Sequence, residues 1–298
     1  MLGRLIRIPT FWVGTGILLV IALVGALGPL IAPHDPLAGS AHLLAPPSLT
    51  HPFGTDYLGR DVFSRVLDGA PVSVLGAAEV AAIALVVGTI PGLASVYLGR
   101  VFEWITLRLI DTLIALPFLV FAVAMTALLG NGITQAMLSV GLLLSPLFYR
   151  VSRSAAQSVA TSPYVEASVL VGATPGRILT RRILPKVVAP LGVATATAAG
   201  TGLVIVSSLT FLGIGVQPPA PTWGGILASD LGYLGYQPWA PVFPIFFIVI
   251  TVVALNLIAD VIREVSGTTR QTLVRRRALD RRRRPGAAGP ATPGPVEA

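Results

Sequence analysis

Apolar residues gather along this chain into long uninterrupted blocks, at residues 11–32, 74–98, 113–130, 133–149, 187–215 and 242–258. About 20 apolar residues in a row cross the hydrocarbon of a bilayer as an α-helix. The pattern therefore predicts an all-α membrane protein with six transmembrane helices, the fifth block being longer than a span needs. The first block follows Arg4 and Arg7 and exceeds the ~7–15-residue apolar core of a signal peptide, so it reads as a retained span.

Between the blocks the pattern changes. Residues 34–71 begin turn-rich and then become amphipathic, with Leu58, Val62, Phe63 and Val66 at helical spacing, which predicts a short helix along the membrane surface. Residues 217–241 hold Pro218, Pro219, Pro221, Pro238 and Pro241 with Trp223 and Trp239, predicting an irregular connection with tryptophans at the membrane interface. After Arg270 the chain is rich in Arg, then Pro, Gly and Ala, and reads as a disordered tail over 271–298 that makes lipid contact. The expected organisation is thus a terminal segment over 1–10, a first span with its surface segment over 11–73, a five-helix core over 74–270, and the tail.

Composition agrees: 54% of the 298 residues are hydrophobic and 11% charged, against about 25% charged in soluble domains, and the mean hydropathy is +0.81. The formal net charge of +8 comes from residues placed by topology rather than by a nucleic-acid surface. With six spans, every Lys and Arg except Arg60 and Arg65 falls on one side, which the positive-inside rule makes cytoplasmic together with both termini. Cysteine is absent, which excludes disulfides, thiol nucleophiles and thiolate metal sites.

The longest inward connection, about 150–186, contains Tyr164-Val165-Glu166-Ala167-Ser168, then Gly172 and Pro175, then Ile183-Leu184-Pro185. A short helix, a Gly/Pro interruption and a second helix ending before Pro185 are predicted. This elbow resembles the inner-membrane permeases of binding-protein-dependent ABC importers, with Ser168 in place of that motif's second Ala. Three further segments resemble the "C"-type permease of dipeptide, oligopeptide and nickel importers: the Leu30-to-Pro36 end of the first span, His51-Pro52-Phe53-Gly54-Thr55-Asp56 with Gly59-Arg60-Asp61, and Ser208-to-Pro219 followed by Trp223-Gly224. The resemblance implies the type I ABC importer permease fold. It makes Glu166, Ala167, Ser168, Gly172, Ile183, Leu184 and Pro185 the ATPase-coupling residues. Its implied partners are a second, non-identical permease, two ATP-binding cassette subunits and an external solute-binding protein, within the bacterial plasma membrane. Peptide is the leading substrate by subfamily, with nickel or another small solute behind it.

No G-x-x-x-x-G-K-[ST] is present, and Lys186, the only lysine, follows a proline, so no nucleotide site and no enzymatic activity of its own are expected. No cofactor is expected either. His34, His42 and His51 lie eight and nine residues apart in the first outer segment, which favours interfacial or capping roles over a metal site. Glu79, early in the second span, leaves open an ion-coupled secondary transporter as the alternative function. Asp111 and Asp260 read as boundary ion-pair partners. The Ala194-to-Gly202 run of small residues and threonines suits either helix packing or a path lining.

Overall fold

The computed structural model describes residues 5–6 and 8–282, with the side chains of 268–282 left out of the description. The chain folds into α1 (Pro9–Ile31), α2 (Val62–Asp68), α3 (Ala70–Ala94), α4 (Arg100–Ala115), α5 (Phe118–Leu129), α6 (Ile133–Ala160), α7 (Pro163–Leu170), α8 (Pro175–Ile178), α9 (Leu184–Phe211), α10 (Trp223–Leu231) and α11 (Val242–Arg282). α1, the run Val62–Ala94, the run Pro175–Phe211 and Val242–Gly267 are each long and apolar enough to cross a membrane. Their outward faces are apolar, with Leu19, Leu30, Ile90 and Phe246 all exposed, as a hydrocarbon solvent requires.

The centre of the bundle is a seam of small residues between α3 and α6. A Cβ added at Gly76 would meet Met137, one at Gly88 would lie 2.2 Å from the Ser145 carbonyl oxygen, and one at Gly92 would lie 2.7 Å from that of Tyr149. Without side chains at these points the two backbones come close, which maximises van der Waals contact where no hydrophobic effect acts. Residue numbers rise together along the seam, so α3 and α6 run parallel. The intervening residues must therefore carry the chain back across the same thickness.

α4 and α5 make that return. They are bent by 101° at the Leu116–Pro117 break, where Pro117 sits as the N-cap of α5 and withholds an N–H from the helix. α4 climbs antiparallel to α6: Glu103 pairs with Arg153, and the Thr106 hydroxyl lies 2.8 Å from the Tyr149 hydroxyl. At the opposite end Asn131 Oδ1 accepts from the Gly215 N–H at 2.8 Å. The third predicted span over 113–130 is thus a bent pair beginning at Arg100 rather than one straight helix. α9 packs antiparallel on α3 through Gly202 and Val80; among the described residues four helices, or five with the bent α4–α5 pair taken as one span, are long and apolar enough to cross a membrane, against the six expected.

One end of the bundle is a dense cap. The Asp56 carboxylate accepts from Arg60 Nε at 2.7 Å and from the backbone N–H groups of Leu58 and Arg60, while Arg65 Nε stands 3.6 Å away. Asp61 caps α2 by accepting from the Ser64 N–H at 2.8 Å. Trp223 donates from Nε1 to the Val66 carbonyl and is fully buried, and Phe53 stacks on Phe243 at 3.7 Å. Two expectations are corrected here. α2 is wedged beneath α10, with Val62 and Val66 fully buried, rather than lying along a surface. The Pro-rich connection forms α10 with a core tryptophan, because Thr222 caps that helix by accepting from the Gly225 N–H and Phe53, Phe243 and Phe247 from distant segments pack on the cluster that holds Trp223. α11 is helical to Arg282, into the first part of the segment expected as a tail. Gln271 to Arg282 contains no Pro or Gly to stop a helix. The remainder of the tail lies outside the described residues.

Asp230 on α10 is buried, and its Oδ2 has no hydrogen-bond partner among the described residues. Burial, then the neighbouring Asp56 carboxylate, push it up to about 7 against the opposing pull of Arg65. A folded pKa above the unfolded value means that the folded state keeps a proton the unfolded state releases. Stability from this group is full below about pH 4 and is lost as pH rises to about 7, amounting to a few kcal/mol by order of magnitude. Asp230→Asn is expected to remove that slope, so the difference in unfolding temperature between variant and parent should grow between about pH 4.5 and 7.5. In the seam, Gly88→Val is expected to lower the unfolding temperature sharply or prevent folding, overpacking costing ~1–3 kcal/mol or more. Gly16→Val, which meets open space, should leave it unchanged in the same thermal scan.

Candidate functional site

At the other end, the α6-to-α9 connection forms an elbow. Ser162 begins α7, Pro163 supplies its first turn, and Glu166 stands in that first turn, where the positive end of the helix dipole favours a carboxylate. α7 ends with two backbone bonds, Gly172 N–H to the Val169 carbonyl at 2.9 Å and Ala173 N–H to the Ser168 carbonyl at 3.0 Å. This pair of bonds closes a helix when the residue after the cap is left-handed. Gly172 is left-handed, with φ of +83°, and nothing lies within 4 Å of where its Cβ would be. Its requirement for glycine is therefore conformational.

Pro175 then opens α8, as its position predicts. The second helix does not stop before Pro185, however. Residues Leu179–Ile183 make one wide turn whose closing bond is from the Leu184 N–H to the Leu179 carbonyl, and the chain flows directly into α9. Pro185 occupies the first turn of α9, where a missing N–H leaves no bond unmade because the wide turn has already shifted the register. The elbow is anchored by Val165, Ile178, Ile183 and Val187, packed on Ala156 and Val159 of α6.

Of the seven residues singled out, Glu166, Ala167 and Ser168 share α7, Gly172 makes the turn, and Ile183, Leu184 and Pro185 stand at the root of α9. Glu166, Ala167 and Pro185 are exposed, Ser168 and Leu184 half-buried, and Ile183 fully buried. Ile183 thus anchors, while Glu166 faces outward and forms none of the ion pairs among the described residues.

The structure adds what the sequence reading did not single out. Ala167, Ser168 and Gly172 line one wall of an open cleft of ≈ 730 Å³, and Arg177, Arg181 and Arg182 line the other. The spacing of these arginines, four and five residues apart on a continuous helical segment, was the available signal. The start of α7 is tied to the root of α9 by Lys186 Nζ, which donates to the Tyr164 hydroxyl at 2.6 Å. The same face carries Arg150 and Arg108 near Asp111 at 3.8 and 3.7 Å, and Arg263 on Asp260 at 2.5 Å, so both aspartates are ion-paired as expected. Elsewhere Glu79 is half-buried on α3 and joins no ion pair among the described residues. In the small-residue run, Ala194, Ala196, Ala198, Gly200 and Gly202 are buried, and the Thr195 hydroxyl donates back to the Leu191 carbonyl, which is helix packing.

Comparison with known proteins matches residues 84–268 to the family described as binding-protein-dependent transport system inner membrane component. Residues 1–47 match the N-terminal TM domain of oligopeptide transport permease C. The Probable D,D-dipeptide transport system permease protein DdpC of Escherichia coli is 36% identical over 84% of each chain. The di/tripeptide transport system permease protein DppC of Pseudomonas aeruginosa is 34% identical over 83% of this chain and 84% of its own. Among solved structures, the inward-facing MetNI methionine ABC transporter shares the fold with a TM-score of 0.55 at 21% identity, over 66% of this chain and 94% of the solved one.

The turn geometry yields a local test. Gly172→Ala should add ~1–2 kcal/mol of backbone strain without a clash, which corresponds to a roughly 5–30-fold faster amide exchange of the α7 end. Gly172→Asn, which tolerates the left-handed region better, should show a smaller increase by hydrogen exchange and mass spectrometry.

Proposed function

Because the chain belongs to the family of inner membrane components of binding-protein-dependent transport systems, we propose that it forms half of the translocation path of an ATP-driven importer, with its elbow as the docking point for an ATPase subunit. It is a transport component, multi-pass in the inner membrane, and works with other permease, ATPase and binding-protein subunits; ATP hydrolysis belongs to the separate ATPases. The proposed assembly pairs it with one non-identical permease, two ATPases and an external solute-binding protein. Its substrate class is peptides, a reading supported by the names borne by its relatives.

The observation that carries the docking role is the cleft itself. Three arginines line the cleft, the exposed Glu166 precedes its Ala167 wall on α7, and the arginine segment runs on into α9 while Val165 and Ile178 pack on the end of α6, so both charge signs are offered to a partner surface. A displacement of the elbow is therefore transmitted along two rigid helices that are packed on α3, tilting the bundle as a unit. No observation favours ion coupling through Glu79.

The orientation proposed puts the elbow face in the cytoplasm together with the N-terminus, because that face holds the unburied arginines. Single cysteines at Ser40 and Ser168 are expected to react with an impermeant thiol reagent from outside and from inside respectively, and the reverse pattern would overturn the orientation. For docking, Glu166→Arg in the reconstituted complex is expected to weaken ATPase association by about 10–100-fold, the loss of one charge-assisted contact. The effect should be larger at low salt. ATP hydrolysis and uptake in vesicles at the parental rate would mean that the elbow is only a connecting loop.

A further inference from the structure

The capped end brings together residues that the sequence separates. His34 follows the end of α1, His51 lies in the outer segment, and Asp61 is the N-cap of α2. His51 Nδ1 lies 2.9 Å from Asp61 Oδ1 and His34 Nδ1 lies 3.8 Å from Asp61 Oδ2. The two imidazole rings are 4.8 Å apart and tilted by 33°. One ligand atom from each of the three residues falls within 4.8 Å of the others, and no other such His, Cys, Asp or Glu group occurs among the described residues.

We propose that His34, His51 and Asp61 form a site for a divalent transition metal ion of borderline softness, such as zinc. Two imidazole nitrogens and one carboxylate oxygen are the donor set that such ions take, whereas calcium and magnesium require oxygen alone. Ligand bonds of about 2.0–2.2 Å in a tetrahedral site place donor atoms about 3.3–3.6 Å apart. The observed separations bracket that range, so side-chain movements of an ångström or less complete the site. The ion takes the position of the proton between His51 Nδ1 and Asp61, and the neutral imidazole then carries its one proton on Nε2.

The support around the carboxylate fits this use. Asp61 Oδ2 accepts from the Ser64 N–H at 2.8 Å and from the Ser64 hydroxyl at 2.6 Å, and the Ser64 oxygen in turn accepts from the His34 backbone N–H at 3.1 Å. These bonds orient Asp61 and leave Oδ1 facing His51, as outer-shell hydrogen bonds orient metal ligands elsewhere. Asp61 is almost fully buried and His51 largely so, while 43% of the His34 side chain is exposed. The fourth coordination position therefore opens to solvent, where a water or a polar group of a solute completes it.

His34 separates this proposal from a purely architectural reading. Capping accounts for Asp61, and a hydrogen bond accounts for His51. The His34 ring makes no hydrogen bond among the described residues and stands too far from Asp61 for one. The site lies at the end opposite the elbow and does not rest on the transport reading.

The test is a cobalt(II) titration of the untagged full-length chain in detergent, followed by the visible d–d bands that report coordination number, with zinc as competitor. One cobalt per chain, displaced by zinc, is expected. His34→Ala removes a ligand but no hydrogen bond. It should leave the unfolding temperature of the metal-free protein unchanged and weaken binding by more than ~10-fold, beyond what loss of an outer-shell group does. Asp61→Asn keeps an oxygen for the helix cap and should weaken binding likewise. Equal binding by the parent and His34→Ala would overturn the site, as would a parent that takes up no more cobalt than the His34→Ala/His51→Ala double variant.

Discussion

The close approach of α3 and α6 is the constraint on which the rest of the molecule depends. Gly76, Gly88, Gly92 and Gly141 remove side chains where the two helices touch, and inside a bilayer such contact is one of the few sources of helix association. Because the pair runs parallel, no short turn can join them. The α4–α5 pair has to recross the bundle, and its break at Pro117 fits the return to the available path. The direction of α6 also decides that its far end, and with it the elbow, emerges on the same face as the start of α1 and the end of α11.

The two ends of the bundle treat charge in opposite ways. On the capped face, Asp56, Arg60 and Arg65 are buried and mutually paired. Burying these charges costs desolvation that pairing roughly offsets, so the network contributes more to a unique arrangement than to net stability. On the elbow face, Arg177, Arg181 and Arg182 are exposed along the cleft. A rigid closed end and a charged open end suit a lever that is moved from one side only. In the proposed docking, the exposed charges stay hydrated until a partner covers them, and so their desolvation is tied to assembly.

The elbow shows how far local chemistry reaches. Gly172 and Pro175 mark the turn in any reading of the sequence, since a left-handed residue after a helix and a proline at the next start are properties of single residues. Whether Pro185 ends a helix or begins one is not local. Its missing N–H is harmless only because Leu179–Ile183 widen into one larger turn, and that widening lets Ile178, Ile183 and Val187 all reach the end of α6.

The sequence by itself determined the membrane as solvent, most of the spans, the basic face and the elbow motif. Each follows from block length, charge placement or residues close together in the chain, and a bilayer turns those one-dimensional features into structure almost directly. Tertiary structure decided what depends on residues far apart. Trp223, legible as an interfacial residue, is buried because Val66 and Phe247 converge on it. α2, legible as amphipathic, is wedged in the cap because α10 folds over it. His34, His51 and Asp61 meet only when the end of α1 is brought to the start of α2. A carboxylate and two imidazoles separated by loops have no shared period in the sequence, and only packing sets the distances between them.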